Sequence, residues 1–156
     1  MSYEDEILAK QFFRAAWQNH TEHYKEKASE VARELRIYDK IKTETEKYPE
    51  LIKILTSLEN ASIRYLQTVD ALSKAKLEKQ SKKIIFEYDR ARKLAHDVCI
   101  DGLNLLSRQF RAAGLDNEWR REIGLDRELI GYWARAVGGY LVDTRMEEYK
   151  DDPARV

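Results

Sequence analysis

The sequence has few of the residues that interrupt helices or cross-link a chain. It contains two prolines, one cysteine and six glycines in 156 residues, and all six glycines lie at or after position 102. Before that position Pro49 is the single residue that breaks a helix. So long a stretch without glycine predicts long helices and argues against sheets, which need a turn every few residues.

Net charge and long apolar runs are also missing. Lysine and arginine number 28, and aspartate and glutamate number 28, so the whole chain presents no net field to nucleic acid or anionic lipid. No apolar run approaches the roughly 18 residues of a membrane-spanning helix. The single Cys99 excludes an internal disulfide, and the acidic N-terminus shows no signal-peptide pattern. We therefore expect a cytoplasmic protein that binds neither membranes nor nucleic acids.

Strong helix formers with helical spacing fill the chain instead. A long first helix is predicted from Ser2 to about Tyr48, either continuous or broken near Asn19-His20-Thr21, with a heptad-like apolar seam that includes Val31, Leu35 and Tyr38. Three more long helices are predicted over about 49–77, 84–113 and 127–149, with a short one around Trp119. The economical architecture is a single all-α domain over 1–156. We expect an antiparallel four-helix bundle with a long first helix and a short extra helix between helices 3 and 4.

Turn signals support these boundaries. The polar run 78–83 predicts a turn, with Ser81 as a possible helix cap, and its lack of glycine and proline also allows a continuous helix. Two Gly-Leu-Asp runs, at 114–116 and 124–126, each predict that glycine ends one helix and aspartate caps the next. The Gly138-Gly139 pair inside the last helix indicates close packing against a neighbour or a kink.

One polar stripe interrupts the apolar third helix. Its members follow each other at steps of four, three and four residues and therefore share one face: Asp97, Asp101, Asn104 and Arg108. The favoured interpretation is a wet face or a set of interhelical salt bridges, with Arg145, Arg64 and Arg127 as possible partners. The alternative is a crevice in which Asp97 and Asp101, with Asn104, Arg108 and Arg145, bind a cationic group or a divalent ion.

Enzymatic chemistry has one candidate pair. Arg90 and His96, with five residues between them, resemble the spaced arginine and histidine of the HEPN ribonucleases, which are also small helical bundles. That resemblance implies a histidine general base and an arginine that stabilises phosphate charge. No histidine has a glutamate three residues before it, which argues against a di-iron bundle, and His20 with His23 is interpreted as a solvated pair. We expect no metal and no cofactor.

The last third of the chain resembles a family of small bacterial helical proteins of unknown function. The resemblance lies in His96-Asp97, Asp101-Gly102-Leu103-Asn104 and Arg108, followed by Gly114-Leu115, Asp126-Arg127 and Arg145. It implies a bacterial cytosolic protein and assigns no catalytic role. The long first helix, the balanced charge and the many aromatic residues favour a non-enzymatic protein that acts through protein–protein contact or self-association, as a homodimer.

Overall fold

The computed structural model describes residues 28–149, and side chains from 31 to 142. The chain is all-helical over this range, as predicted, and no strand occurs within it. Five helices follow one another: α1 (Ala28–Thr45), α2 (Pro49–Leu77), α3 (Lys82–Ala112), α4 (Trp119–Ile123) and α5 (Arg127–Tyr149). The first 27 residues, with most of the predicted long first helix and the pair His20 and His23, lie outside the described range.

The ends of α2 and α3 follow local chemistry. Pro49 occupies the first turn of α2, where the amide hydrogen that proline lacks would have no helical partner. The Oγ of Ser81 accepts a hydrogen bond of 3.3 Å from the backbone N–H of Ile84, which confirms the predicted cap of α3. The chain between these helices passes through Lys79 at a φ of 53°, so a non-glycine residue makes the left-handed turn.

Both glycines of the Gly-Leu-Asp runs end helices as predicted, but only the second aspartate caps the helix that follows. Asp116 accepts a 2.8 Å hydrogen bond from the N–H of Glu118, the residue before α4, and no side chain caps α4 itself. Gly114, at a φ of 75°, ends α3, and the N–H of Leu115 reaches back 2.9 Å to the carbonyl of Phe110. Gly124, at a φ of 106°, ends α4. Asp126 then accepts a 2.8 Å hydrogen bond from the N–H of Glu128 in the first turn of α5.

The core forms where α5 lies against α2 and α1, while α2 and α3 pack along each other. Trp133 of α5 is fully buried, and its ring lies 6.5 Å from that of Tyr38 of α1 in an edge-to-face arrangement. On the α3 side, Phe110 packs 5.3 Å from Trp119 of α4. The seam residues Val31, Leu35 and Tyr38 of α1 are buried against their own chain.

The backbones of α2 and α5 approach each other closely at Gly138. A Cβ atom placed there would lie 2.5 Å from the carbonyl oxygen of Ser62 and 2.9 Å from its carbon. Only a residue without a side chain permits this separation. The predicted close packing at this glycine is therefore confirmed.

The third helix, apolar in sequence, is not buried on all of its apolar positions. Leu94, Val98 and Leu105 are exposed, with 59%, 56% and 39% of their surface accessible. They lie on the side of α3 that faces away from the buried residues Cys99, Leu103 and Leu106. Within the described range, no helix is both long and apolar enough to cross a bilayer.

Candidate functional site

A groove of about 530 Å³ opens where α3 meets the start of α5 beside α2. The residues that α3 and α5 contribute to this groove recur one turn apart, because positions i and i+4 share one face of a helix. Its lining consists of Tyr65 from α2, of Arg92, Lys93, His96 and Asp97 from α3, and of Arg127, Glu128, Gly131, Tyr132 and Arg135 from α5. We call this the His96 groove, and its volume is that of a small-molecule site.

The floor of the His96 groove is built around the buried ring of His96. Its Nε2 lies 2.8 Å from the backbone carbonyl of Arg127, and because a carbonyl only accepts, Nε2–H donates. The ring of Tyr65 packs on the imidazole at 5.4 Å. A Cβ at Gly131 would lie 3.1 Å from the hydroxyl of Tyr65 and 3.5 Å from Nε2 of His96. The floor is thus tightly packed, and His96 ties α3 to α5.

One wall of the groove carries Arg92, which is held from two sides. Its Nε and Nη2 donate to Oδ1 of Asp89 at 3.1 and 2.9 Å. Burial lowers the pKa of Arg92, but hydrogen bonds to Asp89 and Tyr65 outweigh burial and leave the pKa raised. Hydrogen bonds from Arg92 and Lys93 lower the pKa of the Asp89 carboxyl. The guanidinium is therefore a fixed positive charge.

The residues of the predicted polar stripe have different surroundings: two of them contact arginines of other segments, and two face the solvent. Asp97 forms an ion pair with Arg127, one of its three predicted partners. Both side chains are more than half exposed, so the pair contributes about 0–1 kcal/mol. Asn104 accepts a 2.9 Å hydrogen bond from Nε of Arg120 and thereby fastens α4 to α3.

Asp101 and Arg108 are exposed and make no ion pair within the described range. The side chain of Arg145, the remaining member of the predicted ligand set, lies outside the described side chains. The structure therefore brings Asp97 and Arg127 together and leaves Asp101 on the solvent side. No group of three or more metal-ligating side chains occurs among the residues that the structure describes.

The two residues of the HEPN-like pair lie on different sides of α3. His96 lines the groove, whereas Arg90 is exposed and does not. Six residues correspond to about 240° of helical rotation, which turns the two side chains apart. The arginine that shares the side of His96 is Arg92, one turn earlier.

No family model, curated protein or solved structure matches this chain. Its candidate sites therefore depend on geometry and chemistry alone. The resemblance of the last third to a bacterial family stays a prediction.

A second surface is the exposed side of α3. Leu94, Val98 and Leu105 lie within about 40° of rotation of one another, and we call them the α3 apolar stripe. Glu87 lies on the same line about two turns before Leu94, and Arg108 borders it beyond Leu105. A run of exposed large aliphatic residues on one helix is typical of an interaction surface.

Sequence reasoning missed the contribution of α5 and α2 to the His96 groove. Arg127, Gly131 and Arg135 recur every four residues and so face one way, which is a readable signal. Nothing in the sequence indicated that this face would meet Arg92 and His96. That meeting depends on α4, which returns the chain so that α5 begins beside the middle of α3.

Proposed function

We propose that this chain is a non-enzymatic helical protein that acts through protein–protein contact, and that its partner is a second copy of itself. The α3 apolar stripe carries the proposal. A partner that covers exposed aliphatic side chains stabilises the complex by about 25 cal/mol per Å² of apolar surface buried. The aromatic residues and the α1 seam, which first suggested an interface, support it less because Trp119, Trp133 and Tyr38 are buried in the core.

The stripe is complementary to itself in an antiparallel pairing. If two α3 helices pair antiparallel about a two-fold axis between Val98 and Cys99, Leu94 of one copy lies within about 3 Å of Leu105 of the other, measured along the helix. The same register brings Glu87 within reach of Arg108, so opposite charges flank the apolar contact at both ends. A two-fold interface of this kind uses one patch on both copies and closes at the dimer.

The finer architecture belongs to the same proposal. We infer that the four long helices form an antiparallel bundle, because turns of three or four residues join α1 to α2 and α2 to α3. The short α4 then redirects the chain before α5. We further propose the cytoplasm as the location, since Cys99 is a buried free thiol rather than half of a disulfide.

The test is the mass of the whole chain in solution. Sedimentation equilibrium from micromolar to near-millimolar concentration should give a dimer for the parent protein and a monomer for Val98→Glu, because a charge at the axis would be buried against its own copy. Ile52→Glu is the matched control: it places the same charge on an exposed aliphatic residue of α2 and should leave the dimer intact.

A charge exchange tests the antiparallel register. Glu87→Arg alone should weaken the dimer by placing like charges together, and Glu87→Arg with Arg108→Glu should restore it. A parent protein that stays monomeric at all concentrations would refute the proposal. Equal weakening by Val98→Glu and Ile52→Glu would show that the stripe is not the interface.

A further inference from the structure

We propose that the turn between α2 and α3 binds peripherally to the surface of an anionic lipid membrane. We call residues 74–86 the lysine tip; they comprise the end of α2, the turn and the start of α3. The zero net charge of the whole chain predicted no attraction to anionic lipid, but the tip alone holds five lysines and one glutamate. The five lysines are all exposed: Lys74, Lys76, Lys79, Lys82 and Lys83.

Most of the positive charge of the lysine tip is uncompensated. Glu78, its one carboxylate, lies 3.9 Å from Lys74 and accepts a hydrogen bond from the side chain of Gln80. The other four lysines form no ion pair within the part of the chain that the structure describes. Asp89, beyond the tip, is already paired with two cations of its own helix. A cluster of one charge attracts a surface of the opposite charge, and each lysine near an anionic membrane strengthens binding about fivefold.

The lysine tip also lies far from the carboxylates of α4 and α5. Arg127, the first residue of α5, lies beside His96, and the helix then runs to Gly138 beside Ser62. That direction leads away from the tip, and Lys82 stands about 21 Å from His96 along α3. The short α4 follows the far end of α3. An antiparallel pair of α3 helices would leave one tip free at each end, so this proposal does not depend on the dimer.

Exposed apolar side chains accompany the lysines and favour a lipid surface. Leu77, the last residue of α2, is 82% exposed, and Phe86, near the start of α3, is 66% exposed. Such side chains enter the boundary between headgroups and acyl chains, as the apolar face of an interfacial helix does. Leu77 has no comparable partner on a nucleic acid, and the tip contains no arginine, the residue that matches phosphate oxygens in pairs.

The backbone of the turn fixes the side chains that it presents. The N–H of Gln80 donates to the carbonyl of Ala75 at 3.0 Å, and this bond closes the end of α2 around the left-handed Lys79. Ser81 then caps α3. Because the turn is already ordered, binding does not require the backbone of the tip to fold first.

The experiment is sedimentation of the full chain with two sets of vesicles, one of phosphatidylcholine and one with about a third phosphatidylserine. The parent protein should bind the second set and not the first, and added salt should weaken binding. Lys82→Gln with Lys83→Gln should lower the partition coefficient at least about tenfold, because two charges are lost. Leu77→Ser with Phe86→Ser should also lower it at least about tenfold, because apolar contact is lost.

Lys42→Gln with Lys53→Gln is the matched control. It removes two exposed lysines at the opposite end of α2, where Lys53 lies about 36 Å from Leu77 along the helix. At more than a Debye length from the tip, it should change the partition coefficient less than about twofold.

Three results would overturn the proposal. The first is a parent protein that does not bind the phosphatidylserine vesicles, or a control that weakens binding as much as the change at Lys82 and Lys83. The second is unchanged binding after Leu77→Ser with Phe86→Ser, since charge alone would then hold the chain. The third is tighter binding of the parent to double-stranded RNA at equal phosphate concentration, which would identify the tip as a nucleic-acid surface.

Discussion

Replacing Gly138 by alanine should separate α2 from α5. The new Cβ would lie 2.5 Å from the carbonyl oxygen of Ser62, whereas ordinary contact begins at 3.4 Å. The two backbones must therefore move apart by roughly 0.9 Å. The obstructing atom belongs to the middle of a helix and cannot rotate away, so the overpacking cost lies towards the upper end of its usual range, about 3 kcal/mol.

Alanine also stabilises a helix more than glycine does, and this gain must be subtracted from the overpacking cost. Its helix propensity exceeds that of glycine by about 1 kcal/mol, which leaves a net loss of about 2 kcal/mol in the free energy of unfolding. For a chain of this length, that loss lowers the melting temperature by roughly 4–8 °C. Urea denaturation followed by circular dichroism measures the free energy directly, provided that the slope with denaturant is unchanged.

Gly102→Ala is the matched control in the interior of α3. Its Cβ would lie 3.1 Å from Cδ1 of Leu58, a terminal methyl group that can turn aside. The propensity gain then offsets most of the cost, and we expect stability within about 1 kcal/mol of the parent. If Gly138→Ala is as stable as Gly102→Ala, the reasoning from backbone contact between α2 and α5 is wrong.

Two other predictions concern buried ionisable groups. Burial raises the pKa of Glu34 from 4.5 to about 7 despite the opposing charge of Arg33, so the folded chain holds an extra proton between these values and loses stability as the pH rises through them. The pKa shift corresponds to a loss of about 3 kcal/mol in the free energy of unfolding as the pH rises from about 4.5 to about 7.5. Glu34→Gln should abolish this pH dependence in denaturation curves. The same pH dependence in both proteins would contradict the prediction. Burial likewise raises the pKa of Cys99 to about 12, and we expect iodoacetamide to label it only at the rate of unfolding. Full native-state labelling at the rate of a free thiol, seen by mass spectrometry, would refute that expectation.

Within the part of the chain that the structure describes, the sequence by itself determined most helix boundaries, because those depend on local chemistry. Pro49 starts α2, Ser81 caps α3, and the glycines at 114 and 124 end helices through their own backbone freedom. Each signal acts within one turn of the chain, so it needs no knowledge of the neighbours. The left-handed turn at Lys79 is the exception, since no residue type marked it.

Tertiary structure alone decided which side of each helix is buried and which charges meet. Leu94, Val98 and Leu105 have the hydrophobicity of core residues, yet they are exposed because no described helix covers that side of α3. His96 hydrogen-bonds to the backbone carbonyl of Arg127, 31 residues away. A pattern of side chains along the sequence cannot predict a contact with a distant backbone group. For the same reason the residues of the polar stripe have different surroundings: Asp97 and Asn104 contact arginines of different segments, whereas Asp101 faces the solvent. Helical periodicity fixes which residues share a face, but only the packing of the helices decides what that face contacts.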